Sequence, residues 1–219
     1  VVSVTSIEID IQKNSQLVAE LGSKLNKLSE TIHQNREEAL PILTQKMEAI
    51  LALLGMENAR FSIQLNFGNT FLYNGKDEIQ FLFAANKGSD FGLLKKVASG
   101  GEMSRIMLAV KAILSQYSNL PTIIFDEIDT GVSGEIANKM AQIMKKMSLS
   151  MQVFAITHLP QIAGKGKDHF KVYKKVENEQ TKSELKLLNP DERITEIAQM
   201  LSGSSISESA LQHAKELLN

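Results

Sequence analysis

The sequence predicts an α/β fold in which helices flank a mainly parallel sheet, with a coiled-coil helix at the N-terminus. Two nearly unbroken apolar runs, TIIF at 122–125 and MQVFAIT at 151–157, each follow a stretch of helical periodicity. Such runs are typical of parallel strands that helices cover on both faces. In the first forty residues, a set of mainly apolar positions recurs alternately three and four apart, which is the spacing of a coiled-coil seam.

The composition is that of a soluble globular protein and excludes several classes. Apolar residues make up 43% and charged residues 22% of the 219 residues. The net charge of −1 gives no overall attraction to nucleic acid, so any DNA contact must be local. Cysteine is absent, which excludes disulfides and thiolate metal sites. The N-terminus lacks a signal-peptide pattern and no apolar run could span a bilayer, so we expect a cytoplasmic protein without a membrane partner.

The N-terminal seam predicts a helix that packs against another helix, and we assign residues 1–40 to a coiled-coil arm segment. The residues between the seam positions are densely charged, as on the solvent side of a coiled coil. Its partner strand must then lie elsewhere. The alternative is an ordinary amphipathic helix packed on a globular core. The seam positions are Ile11, Asn14, Val18, Leu21, Leu25, Leu28, Ile32, Asn35 and Ala39.

The segment after the arm predicts a second helix and two antiparallel strands. Pro41 permits a new helical start, and the apolar face that follows runs to Gly55. FSIQLNF at 61–67 and EIQFLFAA at 78–85 alternate apolar and polar residues, as half-buried strands do. Asn74-Gly75 between them is a turn signal, although the intervening segment is longer than that of a tight hairpin.

From Lys96 onward, helices and strands are predicted to alternate. A helix after Gly101 precedes the first apolar strand, and a helix from about 134 to 146 precedes the second. HFKVYKKV and SELKLL predict two further, more exposed strands. Asn189-Pro190-Asp191 predicts the start of another helix, and SISESALQHAKELL predicts the last one.

Ser99-Gly100-Gly101-Glu102 lies where the first of these helices begins, and its residue types suit an anion site. Glycines let a ligand approach the backbone, and the free amides of a first helical turn carry partial positive charge. The Ser99 hydroxyl adds a side-chain donor. The alternative is a plain loop and helix cap, which serine and glycine also form.

Asp126 and Glu127 end the first apolar strand, at the edge of a sheet where α/β proteins bind ligands. Asp126 is placed to hold Mg²⁺, mostly through water, and Glu127 to orient or deprotonate an attacking water. His158 follows the next strand at the same predicted edge, where it can reach a phosphate or that water. The alternatives are two solvated acids at a strand end and a structural histidine.

In combination, SGGE, an apolar strand ending in DE and a histidine after the next strand resemble the ABC-type ATPases. The coiled-coil segment before SGGE makes the chain similar to the heads of structural-maintenance-of-chromosomes (SMC) proteins. VASGGEMSRIMLAVKAIL, IIFDEIDTGVSGEIA, ITHLPQIA and DERITEIAQMLSG resemble a branch of that family that repairs DNA double-strand breaks in bacteria. The resemblance covers almost the whole chain and implies an ATP hydrolase that uses Mg²⁺.

The resemblance also implies a role for each site residue. The signature turn would bind the γ-phosphate of an ATP held by the opposite head, with the last of its residues supporting the turn. Asp126 would serve Mg²⁺, Glu127 would be the catalytic base and His158 the switch histidine. The signature residues are Ser99, Gly100, Gly101 and Glu102.

Residues 128–133 would form the loop that communicates across the dimer, and Asp129 is a nucleotide-binding candidate within it. Many ABC and SMC proteins end this loop in Leu-Asp, whereas this chain has Val132-Ser133. The departure puts the contact of the final aspartate in doubt.

No G-x-x-x-x-G-K-[ST] phosphate loop occurs in the sequence. In the proteins that it resembles, this loop lies near the N-terminus, before the outgoing arm of the coiled coil. Residues 41–219 are therefore predicted to be the C-terminal lobe of an ABC-type head. Its partners would be the N-terminal half of the same head and a second head in an ATP-bridged homodimer. The lobe alone is expected to be inactive.

DNA, as double-strand ends or single-stranded overhangs, is the partner that the resemblance implies, which would place the protein at the nucleoid. The residues add little, since KVYKKVE and Lys165-Gly166-Lys167 are short basic segments for which a solvated face is the alternative. Two other functions stay open. One is a non-catalytic interaction module that keeps the ABC-type fold. The other is the nucleotide-binding domain of a membrane transporter, against which the coiled-coil seam counts.

Overall fold

The computed structural model describes residues 4–126, 128–132, 134–177, 180–203 and 205–219. The chain divides into two compact units that interleave along the sequence. The first combines the residues up to Lys46 with Arg60–Val97, and the second combines Met47–Ala59 with Ala98–Asn219. The division into a coiled-coil arm (residues 1–40) and a head lobe (residues 41–219) is a functional one, and it remains a prediction.

Helix α1 (Val4–Leu53) is one continuous helix, so the predicted new start at Pro41 is wrong. Proline lacks an N–H, and its ring crowds the carbonyl four residues earlier. Pro41 and Glu37 are both exposed, which leaves that carbonyl accessible to water. The apolar seam is largely uncovered, since Ile11 is 61% and Val18 70% exposed. In the described stretches, no helix combines the length and the apolar character that a membrane span requires.

A tight antiparallel hairpin forms the centre of the first unit. Strand β1 (Arg60–Leu72) pairs with β2 (Gly75–Ala84), and only two residues connect them. The strands are longer than the sequence predicted, because the segment expected to be a loop continues the pairing, with an irregular register between Phe67 and Leu72. Phe61 and Phe83 pair across the sheet with ring centroids 5.1 Å apart. Strand β3 (Gly92–Leu93) extends the sheet beside β2 and leads into the short helix α2 (Leu94–Val97).

A buried carboxylate joins α1 to this hairpin. The Asp77 side chain is fully buried, with Arg36 Nη1 2.6 Å from Oδ2 and His33 Nδ1 2.6 Å from Oδ1. Burial raises the pKa of Asp77, but the hydrogen bonds from Arg36 and His33 outweigh it and hold that pKa below its ordinary value. Arg36 also donates to the carbonyl of Asn74 in the hairpin turn. His33 thus has the structural role that a solitary histidine most often has.

The second unit contains the predicted parallel pair of strands. Helix α3 (Gly100–Leu114) precedes β4 (Thr122–Asp126), and α4 (Gly134–Met147) precedes β5 (Gln152–Ile156). The strands pair in parallel from Thr122–Gln152 to Asp126–Ile156. Side chains from α3, α4 and β4 share one core, which includes Leu108, Met140 and Phe125.

One face of this two-stranded sheet is uncovered in the described part of the chain. Ile124 is 58%, Phe154 44% and Ile156 57% exposed, although alternation along the strands places them on a single apolar face. The parallel pairing is confirmed, whereas the cover that we expected on both faces is present on one. The described residues therefore bury the apolar side chains of these strands on one face of the sheet only.

The remaining elements form a hairpin and a helical pair. After α5 (Pro160–Lys165), the two further strands predicted from the sequence are present as β6 (Phe170–Glu177) and β7 (Gln180–Leu187), and they pair antiparallel. Most of their described side chains are exposed, as predicted. Helices α6 (Pro190–Ser202) and α7 (Glu208–Leu218) pack on each other. The start of α6 was predicted correctly, since Asn189 and Glu192 form a reciprocal capping box there.

Replacing Asp77 tests the link between α1 and the hairpin. We expect Asp77→Asn to lower the free energy of unfolding by about 1–3 kcal/mol, because it weakens charge-assisted hydrogen bonds to two groups that stay partly solvated. The measurement is urea-induced unfolding followed by circular dichroism. The exposed Asp90→Asn in the same unit is the matched control and should stay within about 0.5 kcal/mol of wild type.

The pH dependence has a definite sign. A carboxyl whose folded pKa is lowered contributes stability that is present above its unfolded pKa of about 3.9 and is lost as pH falls through the folded value. Wild type should therefore lose stability more steeply than Asp77→Asn as the pH is lowered below about 4. Parallel pH profiles for the two proteins would contradict the role assigned to Asp77.

Candidate functional site

The signature turn forms the N-terminal cap of α3. Ser99 has extended backbone geometry, its hydroxyl accepts from the Glu102 N–H at 3.5 Å, and Glu102 Oε2 accepts from the Ser99 N–H at 2.7 Å. This reciprocal pair is a capping box. The predicted supporting role of Glu102 agrees with this geometry, and the Ser99 hydroxyl is part of the same local structure.

Gly100 and Gly101 have no role in the fold that requires glycine. Neither has a positive φ. A Cβ at Gly100 would meet no atom within 4 Å, and one at Gly101 would lie at ordinary contact distance, 3.5 Å, from the Thr130 carbonyl oxygen. The first amides of a helix have no intrahelical acceptor. The start of α3 at Gly100 is exposed, so a ligand or another chain can reach it.

The carboxyl ends of β4 and β5 bring two predicted site residues to the same edge. Asp126 is the last residue of β4 and pairs in register with Ile156, the last residue of β5. The Asp126 side chain is exposed, on the uncovered side of the sheet. His158 follows two residues after Ile156. Glu127, the predicted catalytic base, lies outside the described residues.

Asp129 is turned into the protein rather than toward solvent. It is 1% exposed, and its Oδ2 accepts from the Thr157 hydroxyl and from the His158 N–H, the latter at 3.2 Å. The sequence placed Asp129 among the nucleotide-binding residues. In the structure, its carboxylate has partners within the same chain.

The histidine that follows β5 is mostly exposed. The His158 side chain is 72% accessible, and its Nδ1 lies 3.3 Å from Asp129 Oδ2. Because Nδ1 faces this carboxylate, Nε2 is the ring nitrogen that remains available to a ligand.

The next helix, α5, ends where Arg193 donates to the carbonyl oxygens of residues 163, 164, 166 and 167.

The loop after β4 is anchored by apolar side chains at both ends. Ile128 is 6% and Val132 7% exposed, and both belong to the core around β4. The Val132 N–H donates to the Asp129 carbonyl at 3.2 Å, and Gly131 has a φ of 72°, which favours glycine. Val132 therefore provides an apolar anchor where many ABC and SMC proteins have leucine. Ser133 lies outside the described residues.

The donor set fits Mg²⁺ only as part of a larger site. Among the described residues, no group of three or more histidine, aspartate or glutamate side chains could hold a metal ion. Mg²⁺ often uses one or two carboxylates together with water and substrate phosphates. A single exposed carboxylate at Asp126 suits that mode.

Sequence reasoning missed two residues that organise the site. Thr157 connects Asp129 to the His158 segment, and the available signal was its position immediately before the histidine. Arg193 caps α5 from α6, which begins at Pro190. Arg193 lies in DERITEIAQMLSG, but no local pattern shows which carbonyls a distant arginine will reach.

The fold is that of an SMC head domain. The chain superposes on the Smc head domain of Pyrococcus yayanosii, with a coiled coil and joint, at a TM-score of 0.60, covering 87% of this chain and 36% of that one at 17% identity. It superposes on the Smc head domain of Pyrococcus furiosus, with an extended coiled coil, at a TM-score of 0.58, covering 88% and 46% at 18% identity. These similarities show the fold of the chain.

Over most of its length the chain is homologous to the bacterial DNA repair protein RecN. It is 40% identical over 198 residues to RecN of Deinococcus radiodurans and 42% identical over 199 residues to RecN of Rickettsia typhi. RecN of Haemophilus influenzae is 38% identical over 186 residues. These alignments cover 84–91% of this chain but only 33–36% of the relatives, so the chain spans about a third of their length. No family model matches the chain.

Removal of the Ser99 hydroxyl tests the cap. We expect Ser99→Ala to lower the free energy of unfolding by about 1 kcal/mol, because α3 loses the side-chain acceptor for its N3 amide. Ser104→Ala, one turn into the same helix, is the control, and it should be neutral or slightly stabilising because alanine favours a helix interior. Equal losses in urea titrations of the two variants would show that the cap contributes nothing.

Proposed function

We propose that this chain is the C-terminal part of the head of an SMC-like ATPase that acts in DNA double-strand break repair and recombination. ATP joins two heads, and hydrolysis at the interface releases them, coupled to DNA binding or end bridging. The observation that carries the proposal is the open N-terminus of α3, where neither φ nor packing requires Gly100 or Gly101. The relatives named DNA repair protein RecN support the biological role.

The described residues suit complementary parts of this reaction. At the edge of the sheet, Asp126 would hold Mg²⁺, which would neutralise charge on the phosphates. His158 directs Nε2 toward the terminal phosphate or the attacking water, and Glu127 is proposed as the base that takes a proton from that water. At α3, the amides of Gly100 and Gly101 and the Ser99 hydroxyl bind the terminal phosphate of the opposite head.

The uncovered surfaces fit the proposed partners. The face formed by Ile124, Phe154 and Ile156 is expected to pack against the N-terminal half of the same head, which also supplies the phosphate loop. The exposed seam of α1 packs against the outgoing strand of the coiled coil. The second head, in an ATP-bridged homodimer, closes on the α3 N-terminus.

The proposal also includes a macromolecular partner and a cellular location. DNA ends or overhangs are the proposed macromolecular partner, which places the protein at the nucleoid in the cytoplasm. A protein that shares the SMC-type fold, at a TM-score of 0.51 and 18% identity, is described in terms of ATP-driven dimerisation and DNA-stimulated activation of SMC ATPases. The same two properties are proposed for the whole protein to which this chain corresponds.

A non-catalytic module is the second candidate function. The capping box favours it, because Ser99 and Glu102 already have a structural role in the turn. Under that hypothesis the signature turn only starts a helix, and the ABC-type fold serves as an interaction platform.

A reconstitution experiment separates the two functions. The chain alone should not hydrolyse ATP, since it has no phosphate loop. We expect ATPase activity after this chain is mixed with a separately expressed N-terminal half of the head, and stimulation by linear DNA. In the same complex, Glu127→Gln should retain ATP binding and abolish turnover. An assembled complex without turnover would favour the non-catalytic module, and rapid turnover by Glu127→Gln would remove that residue from the base role.

Substitution of Gly100 separates fold from function. Gly100→Ala should leave the stability of the head unchanged or raise it by up to about 1 kcal/mol, since alanine favours a helix and its Cβ meets open space. The same methyl group should obstruct the close approach of a phosphate and greatly reduce ATP-dependent pairing of full-length heads. Pairing can be measured by analytical ultracentrifugation with a non-hydrolysable ATP analogue. Pairing as in wild type would show that no ligand approaches this turn closely.

A further inference from the structure

Asp129 is a buried residue whose side-chain contacts, among the described residues, lead to the segment that carries His158. It lies between Ile128 and Val132, which anchor its loop in the core. In the described part of the chain, no lysine or arginine lies within salt-bridge distance of its carboxylate, and its side-chain partners are Thr157 and His158. A buried carboxyl group is costly unless it is hydrogen-bonded, so these contacts compensate for the burial of Asp129.

Three contacts converge on a single oxygen of this carboxylate. Oδ2 accepts from the Thr157 hydroxyl and from the His158 N–H, and it lies 3.3 Å from His158 Nδ1. The Thr157 hydroxyl in turn accepts from the Leu159 N–H at 3.0 Å. Since the hydroxyl accepts from Leu159, its own proton is directed to Asp129. The backbone on either side of the histidine is therefore attached, directly or through Thr157, to one carboxylate.

The contact of the imidazole itself with this carboxylate is the 3.3 Å approach of Nδ1 to Oδ2. A carboxylate beside Nδ1 favours a proton on that nitrogen and restricts rotation of the ring. The His158 side chain is nevertheless 72% exposed, so Nε2 is free to meet a ligand. A side chain so exposed would otherwise sample several rotamers, and the order in this segment comes from its backbone and from Asp129.

We propose that Asp129 is a positioning residue that, together with Thr157, holds His158 in the orientation in which Nε2 meets the terminal phosphate or the attacking water. The inference rests on the proposed function and replaces the direct nucleotide contact predicted for Asp129 from the sequence. His158 remains the group that touches the reacting atoms, and Asp129 acts only through it.

The kinetic test uses the full-length protein that contains this chain. Asp129→Ala and Thr157→Val should each lower kcat by about 10–100-fold, the range for residues that orient a functional histidine. The KM for ATP and the affinity for a non-hydrolysable analogue should change by less than about threefold, because the contacts that bind ATP remain. Thr157→Ser retains the hydroxyl and should restore most of kcat.

The second readout needs no nucleotide. Hydrogen exchange of the amides of His158 and Leu159 should accelerate in Asp129→Ala, because their acceptors are lost or displaced. Asp77→Asn is the matched control, a buried aspartate in the other compact unit. It should accelerate exchange in the β1–β2 hairpin and leave both the 157–159 segment and kcat unchanged.

Each outcome has a separate meaning. Wild-type kcat in Asp129→Ala, or a loss of analogue affinity as large as the loss of kcat, overturns the positioning role. If Asp129→Ala does not fold, Thr157→Val and Thr157→Ser decide, and equal kcat in these two variants overturns the role. If wild type is inactive, the proposed function itself fails and the inference fails with it. If wild type is active and His158→Ala turns over as wild type does, the proposed function stands, but the role of His158 and the inference both fail.

Discussion

The parallel pairing of β4 and β5 is the constraint on which the candidate site depends. Phe125, buried between α3 and α4, holds β4 against the helical core, and the register aligns Asp126 with Ile156. Because parallel strands end at the same edge, the acidic end of β4 and the histidine segment after β5 become neighbours. A slip of one residue in either strand would exchange its buried and exposed faces and remove this alignment.

Asp129 connects the loop after β4 to the segment after β5. The adjacent strand ends bring two loops close together, but proximity alone would leave an exposed histidine free to rotate. The carboxylate accepts from a hydroxyl and a backbone amide of the facing segment, so it connects the loops by short polar contacts inside the core. Ile128 and Val132, on either side of Asp129 in the loop, are buried in the core. The polar contacts of Asp129 therefore depend on the apolar packing of these two residues.

Two mainly apolar surfaces are exposed in the described part of the chain. The open face of β4 and β5 and the seam of α1 are apolar, and the chain spans about a third of the length of its RecN relatives. In the first unit, by contrast, α1 is attached to the hairpin by Asp77, which pairs with His33 and Arg36. The chain thus combines buried apolar and ionic contacts with exposed apolar faces to which another protein segment could bind.

The sequence by itself determined the alternation of helices and strands, the cap at Ser99 and the order of the site motifs, because these depend on periodicity and on residues close in the chain. It failed at Pro41 and in the hairpin, where the continuation of α1 and the long strand register overcame local breaker signals. Only the tertiary structure decided that Asp129 faces Thr157 and His158, and that Asp77 joins α1 to β2. Contacts between residues 28 or 41 positions apart depend on how the elements pack, and no local spacing encodes that packing.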